Sequence, residues 1–362
     1  MWIWEQKKWP NFEYDVMSIM PYLEQTVRVV SPLVTLARQL EQDKCLRLET
    51  QVLLDEVLST AKIEGEILDR ESVRSSIANR LGIGEVSCWS KSSQAFVDVL
   101  LESIRTSDQA LTEPTLFKWH QMLFIEKPQL YDMRIGCYRN DSMQVVSGRY
   151  GKQRVHFETP CKSNECVKSE MASLFCYINE ASNDSYYIKA AMAKFWFVTI
   201  HPFDDGNGRF SRIIAERLLA KSENTTARFY SLSTQIEKNR KEYYDILERT
   251  QKGSLELTEW IIWFLKQVQF AAESSLQKLE KIQLSTVFWD KYQQVSFNTR
   301  QRKILQKLLE EDGFLEGMTR KKYKKIVRAS DATLARDLKD LVDKGVLIIK
   351  GSARATKYIL AL

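Results

Sequence analysis

His201-Pro202-Phe203-Asp204-Asp205-Gly206-Asn207-Gly208-Arg209, running on into Phe210-Ser211-Arg212, packs a histidine, carboxylates, an amide, two glycines and two arginines into twelve positions. Upstream, Ile188, Ala191, Met192, Phe195 and Thr199 recur at helical spacing, which predicts a helix over 187–199. Downstream, Phe210, Ile213, Ile214, Leu218 and Leu219 repeat that period, so a second helix begins near Gly208. The polar cluster is therefore a loop feeding a helix N-terminus, where unpaired N–H groups and the positive dipole end suit phosphate oxygens. Gly206 and Gly208 allow a nest of inward N–H groups free of Cβ atoms. Arg209 and Arg212, three apart, are expected to share a face and clamp phosphates. Asp205 can hold a Mg²⁺ ion, which needs only one or two protein carboxylates. His201 can take a proton from an attacking hydroxyl, and Phe203 plugs the core. A capped helix with a core histidine and two surface arginines is the plain alternative. It would serve for an isolated Gly-Asn-Gly but leaves most of the twelve residues without a reason.

The pattern His-x-Phe-x-Asp-Gly-Asn-Gly-Arg-x-x-Arg, matched here from His201 to Arg212, resembles the signature of Fic-type proteins. That resemblance implies transfer of AMP from ATP to a Ser, Thr or Tyr hydroxyl of a target protein, and of the chain itself, with release of pyrophosphate. It implies His201 as general base, Asp205 as Mg²⁺ ligand and Gly206 to Gly208 as anion nest. Asn207 and Arg209 would meet the α- and β-phosphates, and Arg212 the γ-phosphate. The related Doc phosphotransferases carry Lys in the place of Asn207, so the amide favours AMP transfer. Such chemistry is positioning plus charge neutralisation.

Ser59-Thr60-Ala61-Lys62-Ile63-Glu64-Gly65 closes an expected helix over 46–63. Thr60 and Glu64 stand four apart on one face, and Gly65 is a natural stop. Taken alone it is an ordinary helix end. Beside the loop it resembles the family's inhibitory motif, Ser/Thr-x-x-x-Glu-Gly/Asn, which implies that Glu64 pairs with Arg212 and denies that guanidinium to the γ-phosphate. In some relatives the same Glu positions a water that removes AMP, and both roles stay open here.

Residues 144–147 and 154–157 are short β-rich runs around Gly148-Arg149-Tyr150-Gly151, which reads as a hairpin. The resemblance implies a flap over 144–157 that docks the target protein by strand addition. His156 lies within it, as a hairpin side chain or a substrate contact. His120 sits on an apolar helical pattern and is expected to be a satisfied core histidine. Relatives use a stretch like Asn239-Arg240-Lys241-Glu242-Tyr243-Tyr244, then a residue near Gln251, around the adenine, which implies adenine contacts by Asn239, Tyr244 and Gln251; aromatic rings stack on bases and amides bond their edges.

The chain has 362 residues, 44% hydrophobic and 28% charged, the profile of a helix-leaning globular protein. No run approaches a membrane span, and the start lacks a signal-peptide core, so a cytoplasmic protein is expected. The six cysteines (45, 88, 137, 161, 166 and 176) form no Cys-x-x-Cys. Free thiols are expected, with zinc on Cys161, Cys166 and Cys176 a weaker reading. Trp2-Ile3-Trp4 and Trp9-Pro10-Asn11-Phe12 read as a short aromatic hairpin before a helix over 22–42.

From Arg300 the pattern gives three helices, capped in turn by Thr319 and Ser330 and ended by Gly345, then strands over 346–349 and 356–360. This resembles a winged helix-turn-helix. Sixteen Lys+Arg against eight Asp+Glu give this tail +8, so the rest of the +6 chain is at −2. That footprint suits phosphate backbones. Yet residues 330–344 carry Asp331, Asp337, Asp340 and Asp343 against Arg336, Lys339 and Lys344, so DNA and a protein partner stay open.

The expected architecture is mainly α: a Fic helical-bundle core with a β-hairpin flap, plus a C-terminal winged-helix domain. The expected division is a small N-terminal domain at 1–45, the core at 46–270, a linker helix at 271–298 and the winged domain at 299–362, in a symmetric homodimer. Two functions compete, an autoinhibited adenylyltransferase and a DNA-binding regulator that senses nucleotide without turnover; AMP removal is a further alternative. His201 favours the enzyme, because a sensor needs no base.

Overall fold

Periodic apolar runs with good caps make this chain mainly helical, as expected. The computed structural model describes residues 1–82, 91–124, 133–147, 154–310, 317–327, 329–351 and 356–361, in two compact units, Met1–Ser275 and Leu276–Leu362. In the first unit α1 (Val16–Arg38), α2 (Gln42–Ile63), α3 (Arg70–Leu81), α4 (Lys91–Arg105) and α5 (Glu113–Phe124) precede a hairpin of β1 (Gln144–Ser147) and β2 (Arg154–Glu158). Then come α6 (Asn164–Asn179), α7 (Tyr186–Ile200), α8 (Asn207–Ser222), α9 (Leu232–Lys238) and α10 (Arg240–Gln251). The helix α11 (Thr258–Lys291) begins in this unit and ends in the second.

The centre of the first unit is α7 lying along α8. Every residue of α7 from Tyr187 to Ile200 is buried, so the helix is enclosed on all sides. Period alone predicted one apolar face, but the structure also buries Lys189 and Lys194. Their stems pack as apolar matter, and the Lys194 ammonium finds the Tyr243 hydroxyl at 3.0 Å. Burial pushes that ammonium well below its ordinary pKa.

The hairpin is antiparallel, pairing Val145 with Phe157 and Val146 with Val155 across an irregularity in register. Its expected turn at 148–151 lies outside the described residues. Phe157 is buried, whereas Val145, Val146 and Val155 are exposed.

Helix α2, which carries Thr60 and Glu64, is fixed against α9 by a buried carboxylate. Glu56 accepts hydrogen bonds from the Ser231 hydroxyl (2.8 Å), the Ser233 N–H (2.9 Å) and the Ser233 hydroxyl. These donors stand at the N-terminus of α9, where the dipole favours negative charge.

Two expectations are corrected. The N-terminal aromatics form no hairpin: Ile3–Glu5 is a single 3₁₀ turn, and Glu13 bridges to Glu256 instead. The rings of Trp9 and Phe12 pack edge-on against Trp196, at 6.5 and 5.4 Å, and residues 5–8 hold no Gly or Asn to turn a hairpin. The helix after them starts at Val16, because Asp15 caps it through the Met17 N–H (2.9 Å). Second, Cys161 and Cys166 are joined by a disulfide across the start of α6, with Cα atoms 5.4 Å apart. That bond overturns both their expected free thiols and the zinc trio. Cys45, Cys137 and Cys176 are free, and Cys88 lies outside the described residues.

The second unit holds α12 (Thr299–Glu310), α13 (Arg320–Val327) and α14 (Asp331–Asp343), then β3 (Leu347–Lys350) paired antiparallel with β4 (Lys357–Leu360). Ile304, Leu305, Tyr323, Leu334, Leu338 and Leu341 build its core. Ser330 caps α14 through the Thr333 N–H (3.3 Å).

Replacing Glu56 by Ala strands three buried donors and is expected to cost about 3 kcal/mol or more of stability, read as a lowered urea midpoint. A midpoint equal to wild type would mean that Glu56 does not anchor α2.

Candidate functional site

Helix α7 stops because His201 adopts the left-handed conformation (φ 53°), with its N–H still bonded to the Phe197 carbonyl. The ring Nδ1 lies 3.1 Å from the Val198 carbonyl. A carbonyl only accepts, so Nδ1 carries the hydrogen and Nε2 keeps its lone pair. Burial holds the imidazole below its ordinary pKa, hence neutral at pH 7. Its backbone is gripped from behind by Arg139, which is fully buried and donates to the carbonyls of His201 (2.7 Å), Ile200 (3.0 Å) and Cys161 (2.7 Å). No periodicity marks Arg139, and sequence reasoning missed it.

The loop closes on itself. Asn207 Oδ1 accepts from the Phe203 N–H (2.9 Å) while its Nδ2 donates to the Phe203 carbonyl (2.8 Å). The side chain expected to meet phosphate is thus spent on the turn, which leaves the backbone N–H groups of 207 and 208 to serve an anion. Gly206 is left-handed (φ +87°) and caps α8, and a Cβ there would meet the Phe124 ring at 3.0 Å. Beneath the loop His120 is a core histidine, as expected. Its Nδ1 accepts from the Gly136 N–H (3.1 Å), so Nε2 donates to the Asp205 carbonyl (3.2 Å). Burial holds its pKa down at about 4.

Arg209 and Arg212 do not act from one face. Residues three apart on a helix stand about 60° apart around its axis, and the neighbours exploit that angle. Arg209 turns to Glu66 (3.3 Å) and Asp205 (3.4 Å), lies over the Phe124 ring, and lines a cavity of about 300 Å³ with Thr60 and Glu66. Arg212, almost fully buried, donates to Glu64 Oε1 (2.6 Å) and to the Thr60 hydroxyl (3.3 Å). Burial alone would raise the Glu64 pKa; the Arg212 charge and hydrogen bond overcome it and hold the carboxyl ionised. The expected Glu64–Arg212 pair is therefore present.

That pair forms one wall of a cavity of about 620 Å³. His201, Gly208, the hairpin residues Ser147 and His156, and Arg240, Tyr243, Tyr244 and Gln251 of α10 line the rest. The volume suits a drug-sized ligand. Tyr244 and Gln251, which the resemblance places around the adenine, line it. Asn239 does not line it; its amide bonds the Gln267 side chain (3.0 Å) and the Gln235 carbonyl (3.2 Å), since it sits where α9 ends and α10 begins. Asp205 is half exposed, with Oδ1 accepting from the Gly206 N–H (2.6 Å). A single hard, accessible carboxylate fits a Mg²⁺ ion that keeps most of its waters. Among the described residues no group of three or more His, Cys, Asp or Glu is placed to hold a metal.

Residues 110–219 match the Fic/DOC family and residues 2–83 match a domain of unknown function, DUF4172. Residues 110–219 are thus similar to the Fic/DOC family, whose members typically transfer nucleotide-derived groups to proteins. The fold is shared with a Fic family protein from Desulfovibrio desulfuricans G20 (16% identity, TM-score 0.58, 96% of each chain covered). It is shared too with a Fic domain containing signaling protein from Bacteroides thetaiotaomicron VPI-5482 (18% identity, TM-score 0.51), over 73% of this chain and 96% of that one. No described helix is long and apolar enough to cross a membrane.

A Cβ on residue 208 would stand 2.2 Å from Glu64 Oε1. Gly208→Ala is therefore expected to cost about 1–3 kcal/mol in the wild-type chain, and little in a Glu64→Gly background. Equal costs in both, measured by thermal unfolding, would show that the carboxylate is not what residue 208 must clear.

Proposed function

We propose that the chain is an autoinhibited protein adenylyltransferase, moving AMP from ATP to a protein hydroxyl. One observation carries this: a neutral histidine with its lone-pair nitrogen fixed, the buried Arg212 guanidinium and the Gly208 backbone border one cavity. The target oxygen bonds to the α-phosphorus as the bond to the β-bridging oxygen breaks, pyrophosphate leaves, and the hydroxyl proton passes to His201 Nε2. The N–H groups at the start of α8 and Arg212 hold phosphate charge, and Tyr244 and Gln251 face the base. Mg²⁺, held by Asp205, would supply charge neutralisation between phosphates. Exposed Val145, Val146 and Val155 offer the target an apolar strand face. Glu64 opposes all this, because a carboxylate and a γ-phosphate compete for one guanidinium.

With α-labelled ATP and Mg²⁺, Glu64→Gly is expected to raise transfer at least about tenfold, the equivalent of ~1.4 kcal/mol. His201→Ala in that background should lower it by roughly 10²–10⁴. Because burial depresses the His201 pKa, the neutral base persists from alkaline pH down through neutrality; the rate should fall only below the ordinary imidazole range near 6.5. Nucleotide bound but never consumed in any variant would sink the enzyme and favour a sensor. Loss of AMP from pre-labelled protein faster than its addition would favour removal.

The second unit we read as a winged helix for duplex DNA. Counting charges leaves residues 330–344 at −1, but three of the four acids are held within the unit, with Asp343 left exposed. Buried Asp337 takes Arg300 (2.8 Å), Asn298 (2.9 Å) and Tyr323 (3.0 Å), Asp340 takes Gln301 (2.7 Å) and Lys344 (2.6 Å), and Asp331 takes Lys324 (2.8 Å). Arg336 and Lys339 point outward and make no ion pair among the described residues. Binding to random duplex DNA should weaken with salt, and Arg336→Ala and Lys339→Ala should each reduce the log–log slope by about 1. No binding at low salt, by fluorescence anisotropy, would leave a protein partner as the occupant.

A further inference from the structure

Outside the loop chemistry, one constellation in the cavity wall stands without a role. Ser147, the last residue of β1, has its Oγ 2.5 Å from His156 Nε2 on β2. His156 Nδ1 in turn lies 2.6 Å from Glu248 Oε2 on α10. Glu248 is further held by Arg154 (2.8 Å) and Lys252 (2.7 Å), which with His156 keep its pKa down at about 2.

The directions of these bonds follow from elementary inventory. An ionised carboxylate only accepts, so His156 Nδ1 carries hydrogen and donates to Glu248. In the neutral ring Nε2 is then the acceptor, and the Ser147 hydroxyl must donate to it. Hydroxyl, imidazole and carboxylate thus stand in the order that activates a serine, recognised by geometry and not by position in the chain. The hydroxyl is exposed while the relay behind it is mostly sheltered, and Ser147 and His156 line the same cavity as His201 and Arg212. A serine placed for packing alone would need neither an oriented ring nor a carboxylate behind it.

We infer that Ser147 is a built-in nucleophile of this chain, activated by His156 and Glu248, and its own site of modification by AMP. The nucleotide donor in this inference rests on the proposed function; the activation of the serine does not. In the step, Ser147 Oγ bonds to the α-phosphorus of ATP, the bond from that phosphorus to the β-bridging oxygen breaks and pyrophosphate departs. The hydroxyl proton moves to His156 Nε2, and Glu248 stabilises the imidazolium. The product is a phosphodiester that places AMP on the wall of the donor cavity itself, so a modified chain would take up ATP more weakly.

Two measurements on the full chain separate the parts. A fluorophosphonate probe reacts with activated serines without ATP or metal. It should label Ser147 in the wild type, not at all in Ser147→Ala, and at least about tenfold more slowly in His156→Asn and Glu248→Gln. Labelling absent from Ser147, or unchanged in both relay variants, overturns the activation. Incubation with ATP and Mg²⁺ followed by peptide mass spectrometry should find AMP on Ser147, more of it in Glu64→Gly, and a lower total of AMP on the Ser147→Ala chain. AMP on other residues, undiminished in Ser147→Ala, overturns the acceptor site while leaving the adenylyltransferase reading intact. No AMP on any residue in any variant, with Ser147 still labelled by the probe, overturns that reading and the acceptor role together.

Discussion

Six residues separate two buried helices, and satisfying them is the constraint on which the site depends. Between Ile200 and Asn207 the chain must reverse inside the core without stranding polar backbone. It does so with His201 and Gly206 in left-handed conformations, an Asn207 amide that doubles back on Phe203, and His120 and Arg139 taking the carbonyls left over. The turn is rigid because nearly every group in it is already bonded. The same rigidity points His201 Nε2 away from its own helix and keeps open the N–H groups that begin α8. The geometry of the site is thus a by-product of closing a buried turn.

A second consequence concerns charge. Arg212 is sunk so deep that leaving it unpaired would cost several kcal/mol. Some anion must meet it, and within the resting chain that anion is Glu64, which also accounts for a glycine at 208, where a Cβ would strike the carboxylate. Glu64 is positioned from a distance: α2 is pinned to α9 through Glu56, and Thr60 bonds both Ser233 (2.8 Å) and Arg212. The Glu64–Arg212 contact and the stability of the fold therefore draw on the same few bonds, which explains why a helix so remote in sequence reaches the loop at all.

What the sequence disclosed and what it hid divide along physical lines. Strong periodicity placed α7 and α8, periodicity with the Ser330 cap placed α14, and a hairpin rhythm placed β1 and β2. The His201 loop was readable because many residue types converged within a few positions, and the Thr60–Glu64 spacing only in company with that loop. Contacts between distant segments were not readable. Nothing local foretells that Arg139 holds His201, that Arg209 leaves its neighbour for Glu66, or that Asn239 bonds Gln267. The N-terminal aromatics failed for the same reason, since a ring seeks whatever apolar surface the fold presents, here Trp196. The bond between Cys161 and Cys166 depends on how the chain enters α6, which spacing alone does not define.

Charge in the second unit makes the point more generally. Adding residues along α14 describes an acidic helix, a poor partner for phosphate. Leaving out the acids already paired leaves Arg336 and Lys339 against Asp343 alone, because Asp337 is buried under Arg300 and Tyr323, and Asp340 and Asp331 are held by neighbouring lysines. A charge bonded within its own domain contributes little to the potential a partner meets beyond a Debye length of about 8–10 Å, whereas an outward arginine contributes fully. The surface that matters to a polyanion is the residue left after internal pairing, and that quantity exists only once the fold does.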